Sequence, residues 1–343
     1  MTDHPATELE LDTMLAQPSP ALVADMARLE GDVVILGAGG KMGPTLSLLA
    51  RNALDAAGRT DARVIAVSRW SDAQLAEQLV ANGIETVRAE LSPASDLSLL
   101  PDAANVVYMV GAKFGSGSNP SAAWITNCVL PSALARRYRA SNFTAFSTGN
   151  VYPFTPVSQL GSTETSAVAP IGEYAMSCLG RERVIQAASQ TDGLRAAIIR
   201  LNYAVEPRYG VLCDIAQKIL SGSPVDLSVG YVNIVGQRYA NEVVLRSLLL
   251  VDNPPLVLNL TGPEILSVRA TALRLGELLG REVVFAGQEG ETALLSNASE
   301  CHGLFGYPDL SAQSLIEMQA EWMLAGGRLL GKPTKFERQD GKF

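Results

Sequence analysis

Residues 31–47 read GDVVILGAGGKMGPTLS and decide the fold class. The four apolar residues Val33–Leu36 predict a short buried strand, and the apolar spacing of Leu46 and Leu49 predicts a helix after the glycine cluster. The first backbone N–H groups of a helix lack intrahelical partners, so together with the helix dipole they can bind a phosphate. This strand, tight turn and helix therefore predict a dinucleotide-binding unit.

The glycines of this turn fit the spacing G-x-x-G-x-x-G, with Gly37, Gly40 and Gly43. The spacing G-x-G-x-x-G would instead need a glycine at position 42, which is Met42. We predict that these three glycines bind the cofactor, together with Lys41 and Met42 between them. A glycine-rich loop without a ligand is the alternative interpretation.

The overall composition narrows the class of protein. A chain of 343 residues can form one large α/β domain or two unequal ones. The formal charge of −8 argues against binding to nucleic acid or to an anionic membrane, since no basic stripe is available to neutralise phosphates. No run of about 20 apolar residues and no secretory leader pattern is evident. We therefore expect a soluble, cytoplasmic protein that acts on a small molecule.

Cysteine and histidine are too sparse and too scattered for several kinds of site. The four cysteines show no C-x-x-C spacing, and there are two histidines. A disulfide framework, a metal site and a histidine-dependent catalytic triad are therefore not expected. The residues are Cys128, Cys178, Cys213, Cys301, His4 and His302.

Short apolar runs alternate with helical patterns along most of the chain. This alternation predicts an α/β fold, a Rossmann-type doubly wound parallel sheet with right-handed helical crossovers. The predicted strands are 33–36, 63–67, 85–91, 105–111, 142–146, 194–201 and 256–260. The predicted helices are 22–29, 72–82, 118–139 with a break at Pro131, 174–188, 213–220, 243–251, 268–279 and 311–327.

The same pattern predicts the domain organisation. Residues 1–30 form an N-terminal helical extension that we expect to cover an edge of the sheet. Residues 31–202 form the dinucleotide-binding domain, which 237–262 rejoin. The remaining segments, 203–236 and 263–343, are predicted to form a smaller C-terminal substrate-binding cap.

The ends of the second and third strands indicate which dinucleotide binds. Ser68 and Arg69 follow the second strand, where NAD-binding units carry an acidic residue for the ribose 2′-hydroxyl. An arginine there suits the 2′-phosphate of NADP, and Lys41 could lie near the same group. We therefore favour NADP, with NAD possible, and expect Glu90 and Leu91 to flank the adenine. A solvated surface role for both cations is the alternative.

Three ordered motifs carry a resemblance to a known family. They are Gly37-x-x-Gly40-x-x-Gly43, the segment 146–152 (FSTGNVY) and the segment 173–178 (EYAMSC). The chain resembles the extended short-chain dehydrogenase/reductases, the NAD-dependent epimerase/dehydratase group. The similarity covers about residues 32–280 and includes Asn127, Arg200-Leu201-Asn202 and Asn259-Leu260-Thr261-Gly262-Pro263.

The resemblance implies roles for individual residues. Thr148 would hydrogen-bond the substrate oxygen, and Tyr174 would transfer the proton that accompanies hydride transfer. The alternatives are a strand-end cap for Thr148 and a packed aromatic ring for Tyr174. Further residues are implied at the reactive end: Gly111, Ala112, Asn127 and Leu201 for the cofactor, and Asn150 for the substrate.

The chain departs from the family at Cys178, where the Tyr-x-x-x-Lys motif has its lysine. Without that cation, Tyr174 with an ordinary phenol pKa near 10 would be a poor base and a usable acid, which favours carbonyl reduction. Arg181 lies seven residues on, about 10 Å along the helix axis, and is expected to be too far to substitute. We hypothesise that Lys113 supplies the cation, a solvated loop lysine being the alternative. Cys178 itself is expected to be a small buried residue.

The expected function is NAD(P)-dependent hydride transfer at a carbonyl or alcohol carbon of a sugar, sugar acid or related molecule. Asn202, Arg208 and Arg238 are candidate substrate contacts, and surface salt bridges are the alternative for the two arginines. Epimerisation or dehydration of a nucleotide sugar is a second possibility, and non-catalytic redox sensing is a third. The resemblance also suggests a homodimer built from the helices at 118–139 and 174–188.

Overall fold

The computed structural model describes residues 4–113 and 115–341. Residues 1–3 of the predicted N-terminal extension and residues 342–343 of the predicted cap lie outside this part. The helices are α1 (Glu8–Leu15), α2 (Pro20–Met26), α3 (Gly43–Ala56), α4 (Ala73–Ala81), α5 (Pro120–Trp124), α6 (Leu130–Arg137), α7 (Gly172–Asp192), α8 (Val211–Ser221), α9 (Gln237–Ser247), α10 (Val268–Leu279), α11 (Ser299–Phe305) and α12 (Ala312–Leu324).

The strands of the main sheet are short and mostly buried. They are β1 (Val33–Leu36), β2 (Val64–Ser68), β3 (Glu85–Arg88), β4 (Asn105–Tyr108), β5 (Asn142–Thr148), β7 (Arg195–Leu201) and β12 (Leu256–Leu260). Two-residue strands lie outside this sheet: β6 (Thr155–Pro156), β8 (Ala204–Val205), β9 (Val225–Asp226), β10 (Tyr231–Val232), β11 (Val235–Gly236), β13 (Leu266–Ser267), β14 (Phe285–Ala286) and β15 (Thr292–Ala293).

Within the described residues, seven strands form one parallel sheet in the order β12-β7-β5-β4-β1-β2-β3. The predicted doubly wound Rossmann fold is confirmed. The chain leaves β1 toward β2 and β3 on one side and resumes with β4 on the other. In such sheets a ligand lies in the crevice at the carboxyl ends of the strands where the order reverses, here between β1 and β4.

Apolar side chains on both faces of the sheet explain why these strands are nearly continuous in apolar residues. Val33 and Ile35 of β1 pack in one core, with residues of α3 and α9. Val34 and Leu36 pack in the other, with residues of α6 and α7. Burying both faces of β1 fixes the position of the turn that follows it.

The helix predicted at 22–29 is α2, and its expected place at a sheet edge is wrong. The edge strands are β3 and β12, whereas α2 packs on α3 and α9. Its buried residues Leu22 and Met26 join the core on that face. The apolar stripe of α2 is therefore covered by other helices, so this element forms part of a helical layer.

The helix predicted at 118–139 is interrupted earlier than expected. Between α5 and α6 lies a π-helical turn, Ile125–Val129, where the N–H of Leu130 donates to the carbonyl of Ile125 five residues back. Pro131 has no N–H to offer the carbonyl of Asn127, so the regular bonding pattern cannot pass through this point. The wider turn contains Asn127.

A third core lies in the C-terminal half and contains buried residues of α8, α10 and α12. Phe336 joins this core and anchors the last described segment, residues 330–341. Helix α10 spans the predicted range 268–279 and is followed by Gly280 in the left-handed conformation. Helix α11, which the sequence assigns to the cap, instead packs against β12 of the main sheet.

Helix α9 begins at Gln237, six residues before the predicted start at 243. Its first turn carries buried residues, including Gln237, Tyr239 and Ala240. Gln237 donates to the hydroxyl of Thr45 on α3 at 3.0 Å. The first turn therefore belongs to the helical layer on the sheet.

Candidate functional site

The turn between β1 and α3 requires glycine at both ends. Gly37 has φ +93°, and a Cβ there would lie 2.9 Å from Cγ2 of Val110. A Cβ on Gly43 would collide with the backbone carbonyl of Ala38. The chain can reverse this tightly above β4 only because these two positions carry no side chain.

Of the two glycines between them, Gly39 is the crowded one. A Cβ on Gly39 would collide with the hydroxyl of Ser68 at the end of β2, whereas the nearest atom to a Cβ on Gly40 is 3.5 Å away. Close neighbours therefore leave no space for a side chain at Gly37, Gly39 or Gly43. Packing does not require a glycine at position 40, which the predicted spacing includes.

The turn fits the diphosphate of a nicotinamide dinucleotide, the cofactor that the glycine pattern implies. Met42 occupies the N-cap position of α3 and makes no side-chain hydrogen bond to the helix. Gly39 and Gly40 are exposed. Backbone N–H groups that are accessible at the start of a helix can donate hydrogen bonds to a bound phosphate.

The predicted adenosine-side residues lie at adjoining strand ends. Arg69 follows β2 with its side chain 70% exposed, and its Nε lies 4.0 Å from Oε2 of Glu90. Leu91 is partly buried against the second core. Arg69 and Glu90 are therefore close together and open to solvent.

Lys41 lies toward the cap. Its ammonium lies 3.4 Å from the centroid of the Tyr209 ring. Burial first, and then the charges of Lys113 and Lys332, lower the pKa of Lys41 to about 7. Lys41 is thus part of a group of cations that includes Lys113, on the cap side of the crevice.

The predicted catalytic hydroxyls come together at the end of β5. Thr148 Oγ1 accepts hydrogen bonds from the backbone N of Asn150 at 3.2 Å and from its side-chain amide at 3.0 Å. The phenol of Tyr174, in the first turn of α7, lies close enough to the Thr148 hydroxyl for Thr148 to lower its pKa. Thr148 is buried and Tyr174 half-buried. Two hydroxyls at this strand end can hold an oxygen and move a proton.

The phenol of Tyr174 does not have its ordinary pKa. Burial raises the pKa of Tyr174, the neighbouring Cys178 thiol raises it further, and Arg181 lowers it. Cys178 is completely buried, as predicted, and burial raises the pKa of its thiol as well. Tyr174 is therefore protonated at neutral pH, and even less phenolate is available to act as a base than the sequence suggested.

Lys113 lies beside Tyr174 but is engaged by the C-terminal segment. Its Nζ lies 5.7 Å from the centroid of the Tyr174 ring and donates to the carbonyl of Thr334 at 3.0 Å. Burial lowers the pKa of Lys113 to about 8. The side chain therefore loses part of its charge in the neutral to mildly alkaline range.

Asn127 holds the end of β4 in place. Its amide oxygen accepts from the backbone N of Ala112 at 2.9 Å and from Nη2 of Arg181 at 2.6 Å. Its amide nitrogen donates to the carbonyl of Ala112 at 3.0 Å and to the hydroxyl of Ser177 at 2.9 Å. The amide is thus used inside the protein, and the cofactor side is presented by Gly111 and Ala112.

The three predicted substrate residues all have partners within the protein, and Asn202 lies at the strand ends beside Gly149. Asn202 is buried and donates to Asn233 Oδ1 at 2.8 Å. Arg208 pairs with Asp12 at 2.9 Å and with Glu206 at 3.1 Å. Arg238 pairs with Asp309 and donates to the carbonyl of Gln17. All three link parts of the chain, because a buried amide or guanidinium needs internal partners.

The sequence did not predict that the C-terminal segment, residues 330–341, would lie at the site. Thr334 donates to Oδ2 of Asp214 through its backbone N at 2.7 Å and through its hydroxyl at 2.5 Å. Gln339 donates to the carbonyl of Ser228 at 2.7 Å, and Gly341 packs against Gly172 at the start of α7. These contacts join residues that are far apart in the sequence, so no local sequence pattern predicts them. They bring the C-terminal segment beside Lys113.

The remaining predicted contacts lie where expected along the strand ends. Leu201, at the end of β7, is partly buried against the first core. Gly111 is exposed just past β4.

Among the described residues, no helix is both long enough and apolar enough to span a membrane.

Comparisons with known proteins agree with this architecture. A search of curated proteins finds no significant match. Among solved structures, UDP-glucuronic acid 4-epimerase from Bacillus cereus in complex with NAD superposes with a TM-score of 0.72 at 17% identity, covering 87% of this chain and 99% of that one. UDP-N-acetylglucosamine 4-epimerase from the same organism gives 0.65 at 17% identity, covering 87% and 100%.

UDP-glucose 4-epimerase from Thermotoga maritima likewise gives a TM-score of 0.65 at 16% identity, covering 86% of this chain and 99% of that one. Identities this low establish a common fold. The family itself is identified by a sequence model, that of the NAD dependent epimerase/dehydratase family, which matches residues 33–228. The chain therefore belongs to this family of extended short-chain dehydrogenase/reductase enzymes.

Proposed function

We propose that this protein transfers a hydride between a nicotinamide dinucleotide and a carbonyl or alcohol carbon of a sugar, sugar acid or related molecule. One observation carries the proposal. The side chains of Thr148 and Tyr174 interact at the carboxyl end of β5, two strands from the bare glycine turn after β1. A phosphate cradle and a pair of proton-transferring hydroxyls thus share one crevice.

The bound cofactor supplies the hydride or accepts it, and the protein side chains handle the oxygen. The Thr148 hydroxyl, oriented by Asn150, holds the substrate oxygen. The Tyr174 phenol gives a proton to that oxygen as a carbonyl is reduced, or takes one as an alcohol is oxidised. Because burial raises the pKa of Tyr174, the phenol carries its proton at neutral pH and starts in the protonated form that carbonyl reduction uses.

The structural neighbours suggest the substrate class. They include enzymes named for UDP-glucuronic acid, UDP-N-acetylglucosamine and UDP-glucose. A nucleotide sugar is therefore the first substrate class to test. Epimerisation is the second candidate function, because these neighbours are named as 4-epimerases. In that case the cofactor would be oxidised and reduced within one cycle and none would be consumed.

We also propose a preference for NADP over NAD. The exposed Arg69 after β2 could pair with a 2′-phosphate. Glu90 lies 4.0 Å from Arg69, and a 2′-phosphate would compete with this exposed carboxylate for the guanidinium. Several of the structural neighbours are complexes with NAD, which makes NAD the necessary comparison.

Lys113 is proposed as a second cation at the reactive end. Its Nζ lies 5.7 Å from the centroid of the Tyr174 ring and donates to the carbonyl of Thr334 in the C-terminal segment. A protonated Lys113 would stabilise negative charge that develops on the phenol oxygen. Since its pKa is about 8, this help would diminish in alkaline solution.

A homodimer through the α5–α6 and α7 region is supported by exposed apolar side chains there. Ile125 and Val129 are 48% and 50% exposed, and Trp124 and Met176 are each 37% exposed. Apolar side chains grouped on neighbouring helices are typical of an association surface. Replacing Ile125 and Val129 by aspartate should give a monomer in sedimentation equilibrium, whereas the same change at the exposed Leu99 and Leu304 should not.

The experiment that tests the function begins with cofactor titration. The purified protein is titrated with NAD and NADP in oxidised and reduced forms, and the complexes are then screened by thermal shift against nucleotide sugars and sugar acids. Steady loss of reduced cofactor indicates an oxidoreductase, and a changed sugar without net loss indicates an epimerase. Binding of cofactor with neither outcome, and no effect of Tyr174→Phe, would support a non-catalytic role.

A further inference from the structure

We propose that Arg181 supplies the fixed positive charge of the reactive end, the role that Cys178 cannot fill, and acts as a positioning residue beneath the cofactor. The inference rests on the proposed nicotinamide binding. Tyr174, Cys178 and Arg181 lie at positions i, i+4 and i+7 of α7, which share one face of the helix. A long side chain on a helix points back toward its N-terminus, so Arg181 spans much of the distance along the axis that separates it from Tyr174.

The guanidinium lies directly under the floor of the crevice. A Cβ on the exposed Gly111 would be 3.0 Å from Nη2 of Arg181. Nη2 donates to Asn127 Oδ1 at 2.6 Å, and Nη1 donates to the carbonyl of Phe146 at 2.9 Å. Arg181 therefore joins the ends of β4 and β5, the two strands that flank the reactive end.

The charge of Arg181 is unusual because it has no acidic partner among the described residues. Arg181 is 5% exposed, the hydrogen-bond acceptors of its guanidinium are a neutral amide and a carbonyl, and its Nε has no partner. The next residue, Glu182, pairs instead with Arg200 at 2.7 Å. A buried charge without a counter-ion is costly to folding, so a purely structural role would be served better by a neutral side chain.

A fixed cation here has an effect on the cofactor that packing alone cannot produce. The nicotinamide ring is positively charged when oxidised and neutral when reduced. A charge under Gly111 should therefore weaken binding of the oxidised form relative to the reduced form. Of the groups nearest this floor, Tyr174 and Cys178 are neutral at pH 7 because burial raises their pKa. Lys113 is the other cation, and its Nζ lies 5.7 Å from the centroid of the Tyr174 ring and donates to the carbonyl of Thr334.

The test compares the dissociation constants of oxidised and reduced NAD and NADP, measured by calorimetry at pH 7. In Arg181→Met the ratio of the oxidised to the reduced constant should fall on the order of tenfold. Arg181→Lys should keep the ratio, even if both constants change. Arg183→Met, at an exposed position on the same helix, should change neither constant. Arg181→Gln, which can still donate to Asn127, provides a second neutral variant if the methionine variant does not fold.

Two results have distinct meanings. If Arg181→Met and Arg181→Gln weaken both cofactor forms equally, the charge has no role and the inference is overturned, while the proposed function stands. If the unaltered protein binds neither form of either dinucleotide, the proposed function itself fails and the inference falls with it.

Discussion

The two ends of the crevice differ in how the protein builds them. At the glycine turn, Gly37 and Gly43 act through what they lack, since a side chain at either position would meet Val110 or Ala38. At the reactive end, Tyr174 is proposed to act through its chemistry, and the positive charge that the family motif places at position 178 is proposed to come from Arg181. Backbone geometry leaves few ways to build a phosphate cradle, whereas an electrostatic field can be built from several positions.

The largest effect should come from the phenol at the reactive end. We predict that Tyr174→Phe lowers turnover by about 10²- to 10⁴-fold, since it removes the proton donor. The dissociation constant of the cofactor should change little, because the glycine turn is untouched. Steady-state kinetics and cofactor titration measure the two effects. Tyr307→Phe, at a ring that is 71% exposed, is the control, and equal losses in both variants would contradict the role of Tyr174.

Substitutions at two glycines of the same turn test the phosphate-binding end of the crevice. Gly43→Ala should lower the free energy of unfolding by about 2 kcal/mol and cofactor affinity by about thirtyfold, because the new methyl group meets the Ala38 carbonyl. Gly40→Ala should be tolerated, since its nearest neighbour is 3.5 Å away. Chemical denaturation and calorimetry measure these effects. Similar behaviour of the two variants would refute this account of the turn.

A pH titration probes the cations on the cap side of the crevice. The pKa of Lys41 is about 7, and an adjacent bound phosphate would raise it, so cofactor affinity should fall by about tenfold as the pH rises from about 6 to about 9. Calorimetry at several pH values measures the slope. Lys41→Met should flatten it, and an unchanged slope in that variant would show that Lys41 is not near the phosphate.

Without cofactor, the effect of Lys41 on stability has the opposite sign. The folded protein gives up this proton near pH 7, whereas a lysine in the unfolded chain keeps it up to its ordinary pKa of 10.5. The unfolded chain therefore binds more protons in this window, and the contribution of Lys41 to the free energy of unfolding should rise with pH. Comparing the pH dependence of unfolding in Lys41→Met isolates this contribution.

The smallest expected effect lies at the exposed adenosine end. Arg69→Ala should weaken NADP binding about fivefold, because an exposed ion pair contributes about 1 kcal/mol at most. NAD binding should not change. Arg28→Ala, at a side chain that is 69% exposed, is the matched control. A clear preference of the unaltered protein for NAD would overturn the proposed role of Arg69.

The sequence predicted the glycine-turn end of the crevice better than the reactive end. The sheet and the site of the turn follow from local patterns, such as the apolar run of β1 and the glycines after it. The crowding of Gly39 could not be predicted, because it comes from Ser68 at the end of a neighbouring strand. The distance along the helix axis predicts that Arg181 is too far from Tyr174 to replace the motif lysine. This prediction leaves out the direction and length of the arginine side chain. Arg208 and Arg238 are partnered by Asp12 and Asp309, which are distant in the sequence.

The most direct test of hydride transfer at the Thr148–Tyr174 pair is the nicotinamide absorbance of the protein–cofactor complex during a single turnover. The complex is mixed with a panel of nucleotide sugars and sugar acids. We predict that at least one changes the redox state of the bound nicotinamide, and that the change is lost in Tyr174→Phe and kept in Tyr307→Phe. A cofactor that binds tightly but changes redox state equally in both variants, or with no substrate at all, would contradict the proposal.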